Sequence, residues 1–225
     1  MLNTEASNKK IDSTLFKPKR PNQQNRIMEF IAHRINTVEE LKSLDRSFGV
    51  ELDVRDGAKE LILQHDPYKD GERFEDFLKH YQHGTMIVNI KSERIEEEIL
   101  TLLSKYGIID FFFLDNAFPV VVELSNKGIS NIALKYSEYQ GTDTIEIMKD
   151  RVDWLWIDCY TRFSLDKETY KKFKSWGYKL CYGSPELYGR NADLEIYNDQ
   201  IEAEEIRFDA VCTKFYNKDR HFNPT

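Results

Sequence analysis

Cysteine is scarce in this 225-residue chain, with only Cys159, Cys181 and Cys212. Three cannot all pair internally, and none has a C-x-x-C spacing, so neither a disulfide framework nor a zinc site is indicated. Lying in apolar runs, they read as buried free thiols. Long hydrophobic runs are missing too: none approaches the ~20 residues of a membrane-spanning helix. The polar N-terminus MLNTEASNKK has no apolar leader stretch, which makes a cytoplasmic location the expectation. An excess of basic residues is also absent, with 32 Lys and Arg against 39 Asp and Glu and a net charge of −7. Nucleic acid is therefore not the expected partner, because phosphate neutralisation needs clustered cations. No G-x-G-x-x-G turn follows any strand-like run, which argues against a dinucleotide-binding open sheet.

What the chain does have is hydrophobic material, 40% overall and 13% aromatic, enough for a sizeable core. Residues 1–25 are polar and read as a mobile tail. From 26 to 225, strand-like and helix-like segments alternate. Eight apolar runs, at 26–34, 50–54, 85–91, 111–115, 132–136, 154–160, 178–183 and 210–215, have the continuous hydrophobicity of strands covered on both faces. A ninth run at 60–66 also reads as extended. Amphipathic helices lie between. One begins at Thr37 with Glu40 three residues on, a capping box, and two stop at Gly107 and Gly177. Eight such units predict one compact parallel (β/α)8 barrel, a TIM barrel, over 26–225.

In a barrel, the C-terminal ends of the strands converge. Those ends carry His33 and Arg34, Glu51 and Asp53, Asn89 and Lys91, Asp115, Lys135, and Asp158 with Tyr160; His65 comes from the ninth run. Glu51 and Asp53 stand at i and i+2 and face the same way, which suits a hard cation such as Mg²⁺ or Ca²⁺, although an isolated E-x-D pair is more often a solvated strand face. Two histidines beside a metal and cations suit acid–base work on a phosphate ester. His80, His83 and His221 read as structural. Tyr160, Tyr182 and Tyr188 could line the site, and the polar loop 183–193 is the expected source of specificity.

Taken in order, IAHR, Asn36-Thr37, ELDV, LILQHDP and NIK resemble the signature of the glycerophosphodiester phosphodiesterases, relatives of the phosphatidylinositol-specific phospholipases C. The matching motifs span residues 27–91. The resemblance implies a phosphodiesterase with His33 and His65 as its acid–base pair. It implies that Arg34 and Lys91 contact phosphate, and that Glu51, Asp53 and Asn89 ligate a divalent metal. Three departures accompany it. The glycine that follows His-Arg in the family is Ile35. The third metal ligand, acidic in the family, is Asn89, which gives up a negative charge; Arg55 or Asp115 could offset that loss. The family's insertion after the second histidine is missing, leaving Pro67–Gly84 with a turn and a helix, so a bulky phosphodiester is an expected substrate. Asn89 also leaves open a barrel that binds a phosphorylated ligand without turning it over.

Overall fold

The computed structural model describes Phe16 and residues 28–221. The expected tail at 1–25 lies outside that range except for Phe16, whose ring packs edge-on against Phe111 at 5.5 Å. The chain forms a mixed α/β structure around a ten-stranded sheet. All eight apolar runs are strands: β1 (Glu29–Ala32), β2 (Gly49–Asp56), β5 (Met86–Ile90), β6 (Phe111–Leu114), β7 (Ala133–Tyr136), β8 (Trp154–Ile157), β9 (Lys179–Gly183) and β10 (Ala210–Thr213). The ninth run becomes β3 (Leu61–Leu63), which pairs antiparallel with β2 and then with the two-residue β4 (Glu72–Arg73). It is an excursion from the end of β2 and not a member of the parallel set.

The parallel pairings run β6–β5–β2–β1–β10–β9–β8–β7. Between β6 and β7 a single parallel bridge joins Phe113 to Ile132, with the Phe113 N–H donating to the Asn131 carbonyl at 2.9 Å.

Helices α1 (Val38–Ser43), α2 (Phe74–Leu78), α3 (Glu96–Lys105), α4 (Phe118–Asn126), α5 (Asp143–Ile147), α6 (Lys167–Ser175) and α7 (Leu194–Ala203) fill the connections. The capping box forms as expected, with Thr37 Oγ1 accepting from the Glu40 N–H at 3.1 Å and Glu40 reaching back to the Thr37 N–H at 3.0 Å. α3 and α6 end where glycine can turn left-handed, at Gly107 (φ 69°) and Gly177 (φ 84°). Between Pro67 and Gly84 lie only β4 and α2.

Two hydrophobic clusters divide the core. The larger fills the space between sheet and helices. The smaller contains alternate residues of seven strands, among them Ile31, Ile87, Phe112, Ala133, Trp154, Cys181 and Cys212, all on one sheet face. Phe112 stacks on Trp154 at 4.4 Å although β7 lies between their strands; Ala133 is small enough to let the rings meet. The sheet is therefore strongly curved about this inner face. All three cysteines are buried and unpaired. No helix among the described residues is long and apolar enough to cross a membrane.

Candidate active site

Strand periodicity builds the site. Two residues beyond Ile31 on the inner face comes His33; beyond Ile87 come Asn89 and then Lys91; beyond Ala133 comes Lys135; beyond Trp154 come Trp156 and Asp158. The register sets Glu51 beside Ile87 and Asp53 beside Asn89, so both carboxylates belong to this layer. Apolar side chains thus fill the N-terminal half of the inner face, and polar ones crowd its C-terminal end.

There a cavity of about 140 Å³ is lined by His33, Arg34, Glu51, His65 and Asn89 on one side and by Asp115, Lys135, Trp156, Asp158, Tyr160 and Tyr188 on the other. Four separate sequence motifs thereby meet at one place. Lys91 joins them through Asp53 (3.4 Å) and Asp115 (3.6 Å).

Glu51 and Asp53 are each 1% exposed. Glu51 accepts the Arg34 N–H at 2.7 Å and the Asn89 amide at 2.9 Å. Desolvation, then the charge of Asp53, pushes its pKa up to about 7. Asp53 is held by Asn36 and lies 3.6 Å from Arg34 Nε. Arg34 takes the left-handed conformation (φ 57°), one residue before Ile35. That strain lets its N–H reach Glu51 while the guanidinium stays at Asp53.

His33 lies 3.8 Å from Glu51 Oε2 and is mostly buried. Burial, assisted by the neighbouring Arg34 charge, lowers its pKa to about 4. His65 is more exposed. Its Nδ1 sits 2.9 Å from Asp66 Oδ1, and this contact with that of Lys69 holds Asp66 down at about 2. Arg55, considered as a replacement for metal charge, serves the backbone instead. It donates to the carbonyls of Gln64 (3.3 Å) and His65 (3.1 Å), tying down the segment that carries His65. Asp115 is likewise engaged, between Lys91 and Lys135.

The far wall is only partly legible from sequence. Asp158, 1% exposed, accepts from Trp156 Nε1 (2.5 Å), from Tyr160 Oη (2.9 Å) and from Tyr188 Oη. Burial and the Asp158 charge push Tyr160 up to about 12 and raise Tyr188 as well. Burial pulls Lys135 down, but Asp115 and Asp158 outweigh it and its pKa is raised. Trp156 escapes sequence reasoning because a tryptophan in an apolar run reads as core. Its ring leaves only 2.8 Å to where a Cβ on Gly183 would stand, which is why β9 ends in glycine. Tyr182 does not line the site: it is buried and stacks on Phe208 at 5.0 Å. His83 meets the Leu44 carbonyl at 3.2 Å, and His221 is buried beside Ser184 and Thr213.

Among the described residues no three His, Cys, Asp or Glu side chains converge as a metal cluster. The oxygens that could hold a divalent ion are those of Glu51, Asp53 and Asn89. The donor set fits such an ion in one respect: Asn89 Oδ1 is buried with no hydrogen-bond partner, beside two carboxylates.

No family model matches the sequence, and no curated protein matches it. The fold does have solved counterparts. The chain is similar to a glycerophosphodiester phosphodiesterase from Agrobacterium tumefaciens str. C58, with a TM-score of 0.56 and 12% identity over 83% of this chain and 96% of that one. It is also similar to a glycerophosphoryl diester phosphodiesterase from Parabacteroides distasonis ATCC 8503, with a TM-score of 0.60 and 9% identity over 89% and 86%. The TM-scores show a shared fold, and at identities this low the likeness is one of fold alone.

Proposed function

We propose that the chain is a phosphodiesterase on a closed (β/α)8 barrel, with the Phe113–Ile132 bridge as the seam that completes the ring. The observation that carries the reading is the meeting of His33, Arg34, Glu51, His65 and Asn89 in one cavity at the strand C-termini.

His33, kept neutral by burial and flanked by Glu51, is the base. It accepts the proton of the attacking oxygen, either a neighbouring hydroxyl of the substrate or a water, as that oxygen bonds to phosphorus. His65, oriented by Asp66, donates a proton to the departing ester oxygen as its bond to phosphorus breaks. Attack by a substrate hydroxyl releases an alcohol and a cyclic phosphodiester, and attack by water gives the monoester directly. Arg34 and Lys91 hold the phosphoryl oxygens. Glu51, Asp53 and Asn89 are the side chains that would hold Mg²⁺ or Ca²⁺, which when bound neutralises charge on those oxygens.

The test is turnover of a phosphodiester panel, with Mg²⁺, with Ca²⁺ and with a chelator, by the wild type and by His33→Ala and His65→Ala. Each variant should lose at least about 100-fold in kcat. Unchanged rates in both would refute the assignment.

A further inference from the structure

The rings on the far wall of the cavity continue past its edge. Tyr188 meets Tyr160 with ring centroids 5.2 Å apart, and Tyr160 meets Tyr139 at 6.2 Å. Tyr188 and Tyr160 line the cavity, Tyr160 is 38% exposed, and Tyr139 beyond it is 72% exposed. The loops after β7, β8 and β9 thus lay down one aromatic track from the cavity to the surface. The rest of the mouth is similar. Of the exposed aromatic side chains among the described residues, Phe118, Tyr139, Tyr160, Phe215 and Tyr216 stand within four residues of the C-terminal end of a parallel strand, and only Tyr68 does not.

The track is held in place. Glu138 accepts from both the N–H and the hydroxyl of Thr161, which ties the loop after β7 to the loop after β8. Arg190 donates to the Tyr160 carbonyl at 3.0 Å, which ties the loop after β8 to the loop after β9. The turn that carries Tyr139 closes on itself through two backbone bonds of 3.2 Å between Ser137 and Gln140. Tyr160 and Tyr188 both donate their hydroxyl protons to buried Asp158, so what they present to a ligand is ring surface.

The surroundings of the rings select the ligand. The Asp115–Lys135 ion pair, at 2.5 Å, lines the same cavity, and an alkyl arm would strip water from it without replacing the lost hydrogen bonds. Successive rings are inclined at 65° and 47°, so no two parallel faces are set to sandwich a flat base. A sugar meets both conditions, laying its C–H face on a ring while its hydroxyls reach the charged pair.

We propose that the track binds sugar rings, which makes the substrate a phosphodiester with a carbohydrate on one arm. This rests on the phosphodiesterase reading of the cavity. With the phosphoryl group against the near wall, the arm that crosses the cavity meets Tyr160 first and Tyr139 at the surface.

The experiment measures kcat/KM on diesters of glycerol phosphate whose second alcohol is methanol, hexanol, adenosine or methyl glucoside. The wild type should favour the glucoside over each of the others by at least about tenfold, the worth of one or two ring contacts. Tyr139→Ala removes an exposed ring, and should reduce that preference below about threefold through KM; Tyr139→Phe keeps the ring and should retain the preference. Any other ester that matches the glucoside, a preference unchanged in Tyr139→Ala, or equal losses in the two variants would overturn the proposal. If no diester is turned over, the phosphodiesterase reading fails separately, and calorimetry with glucose 6-phosphate and methyl phosphate decides the track. Tighter binding of the sugar phosphate that weakens at least about threefold in Tyr139→Ala supports it. Equal affinities, or a difference that survives the substitution, overturn it.

Discussion

Asn36 and Asp53 grip each other reciprocally. Asn36 Nδ2 donates to Asp53 Oδ2 at 2.9 Å, and the Asp53 backbone N–H donates to Asn36 Oδ1 at 2.8 Å. One amide thus satisfies both the backbone and the side chain of a carboxylate that is 1% exposed, and fixes the entry to α1 against β2. Asn36→Ala leaves a buried charge with one donor fewer. A loss of about 1–3 kcal/mol is expected by urea denaturation, because hydrogen bonds to charged groups are the costly ones to remove. Asn36→Asp should be worse still, since it sets two carboxylates against each other.

Asn89 is the residue whose replacement separates a weakened metal site from an idle one. Its amide nitrogen serves Glu51, and its oxygen serves nothing in the protein. Asn89→Asp adds a third carboxylate beside two that already repel each other. In chelator the variant should therefore melt lower than wild type. Added Ca²⁺ or Mg²⁺ should recover that loss, and should raise turnover where the ion is limiting. A variant equally unstable with and without the ion would mean that these oxygens are not a cation site.

Buried titrating groups tilt the stability of the metal-free protein in opposite directions. His33 titrates near 4 when folded against an ordinary 6.5, so as pH falls from 6.5 toward 4 only the unfolded chain gains a proton and stability drops; the lowered pKa of buried His221 acts in the same direction. Glu51 titrates near 7 against an ordinary 4.5, so as pH rises from 4.5 toward 7 only the unfolded chain loses a proton and stability again drops. His33→Gln removes one of the histidine slopes. Set against wild type in chelator, the urea midpoint of that variant should move lower as pH rises from 4.5 to 6.5. A difference between the two that does not change with pH would mean that burial does not hold His33 neutral.

The near wall of the site is readable in the sequence because it is written in short range. Glu51-x-Asp53 and Asn89-x-Lys91 carry their shared facing in the two-residue strand period, and Thr37 with Glu40 carries its cap in three residues. The eight parallel strands are readable for a similar reason, since each is a continuous apolar run. On the far wall Asp115, Lys135, Asp158 and Tyr160 are readable as strand ends, whereas the contacts of Trp156 and Asp158 with Tyr188 span about thirty residues and leave no local pattern. Tyr182 and Tyr188 look alike in sequence, yet one stacks in the core and the other lines the cavity. Arg55 looks available for charge compensation. The antiparallel excursion of β3, which only tertiary pairing reveals, turns it toward the backbone of Gln64 and His65.

Asp66 offers the sharpest test of how His65 works. The pair is solvent-accessible, with side chains 41% and 47% exposed, so it adds little to folding. Its contribution is to orientation: Asp66 stays ionised down to about pH 2 and fixes which imidazole nitrogen faces it, leaving Nε2 for the substrate. Asp66→Ala removes the acceptor that orients the ring, whereas Asp66→Asn retains an acceptor oxygen. The urea midpoint should barely move in either. Turnover should fall about tenfold or more in Asp66→Ala and recover in part in Asp66→Asn. A variant pair with equal losses would show that orientation by an acceptor at this position is not what Asp66 contributes, and wild-type rates in Asp66→Ala would remove the pair from the proposed acid.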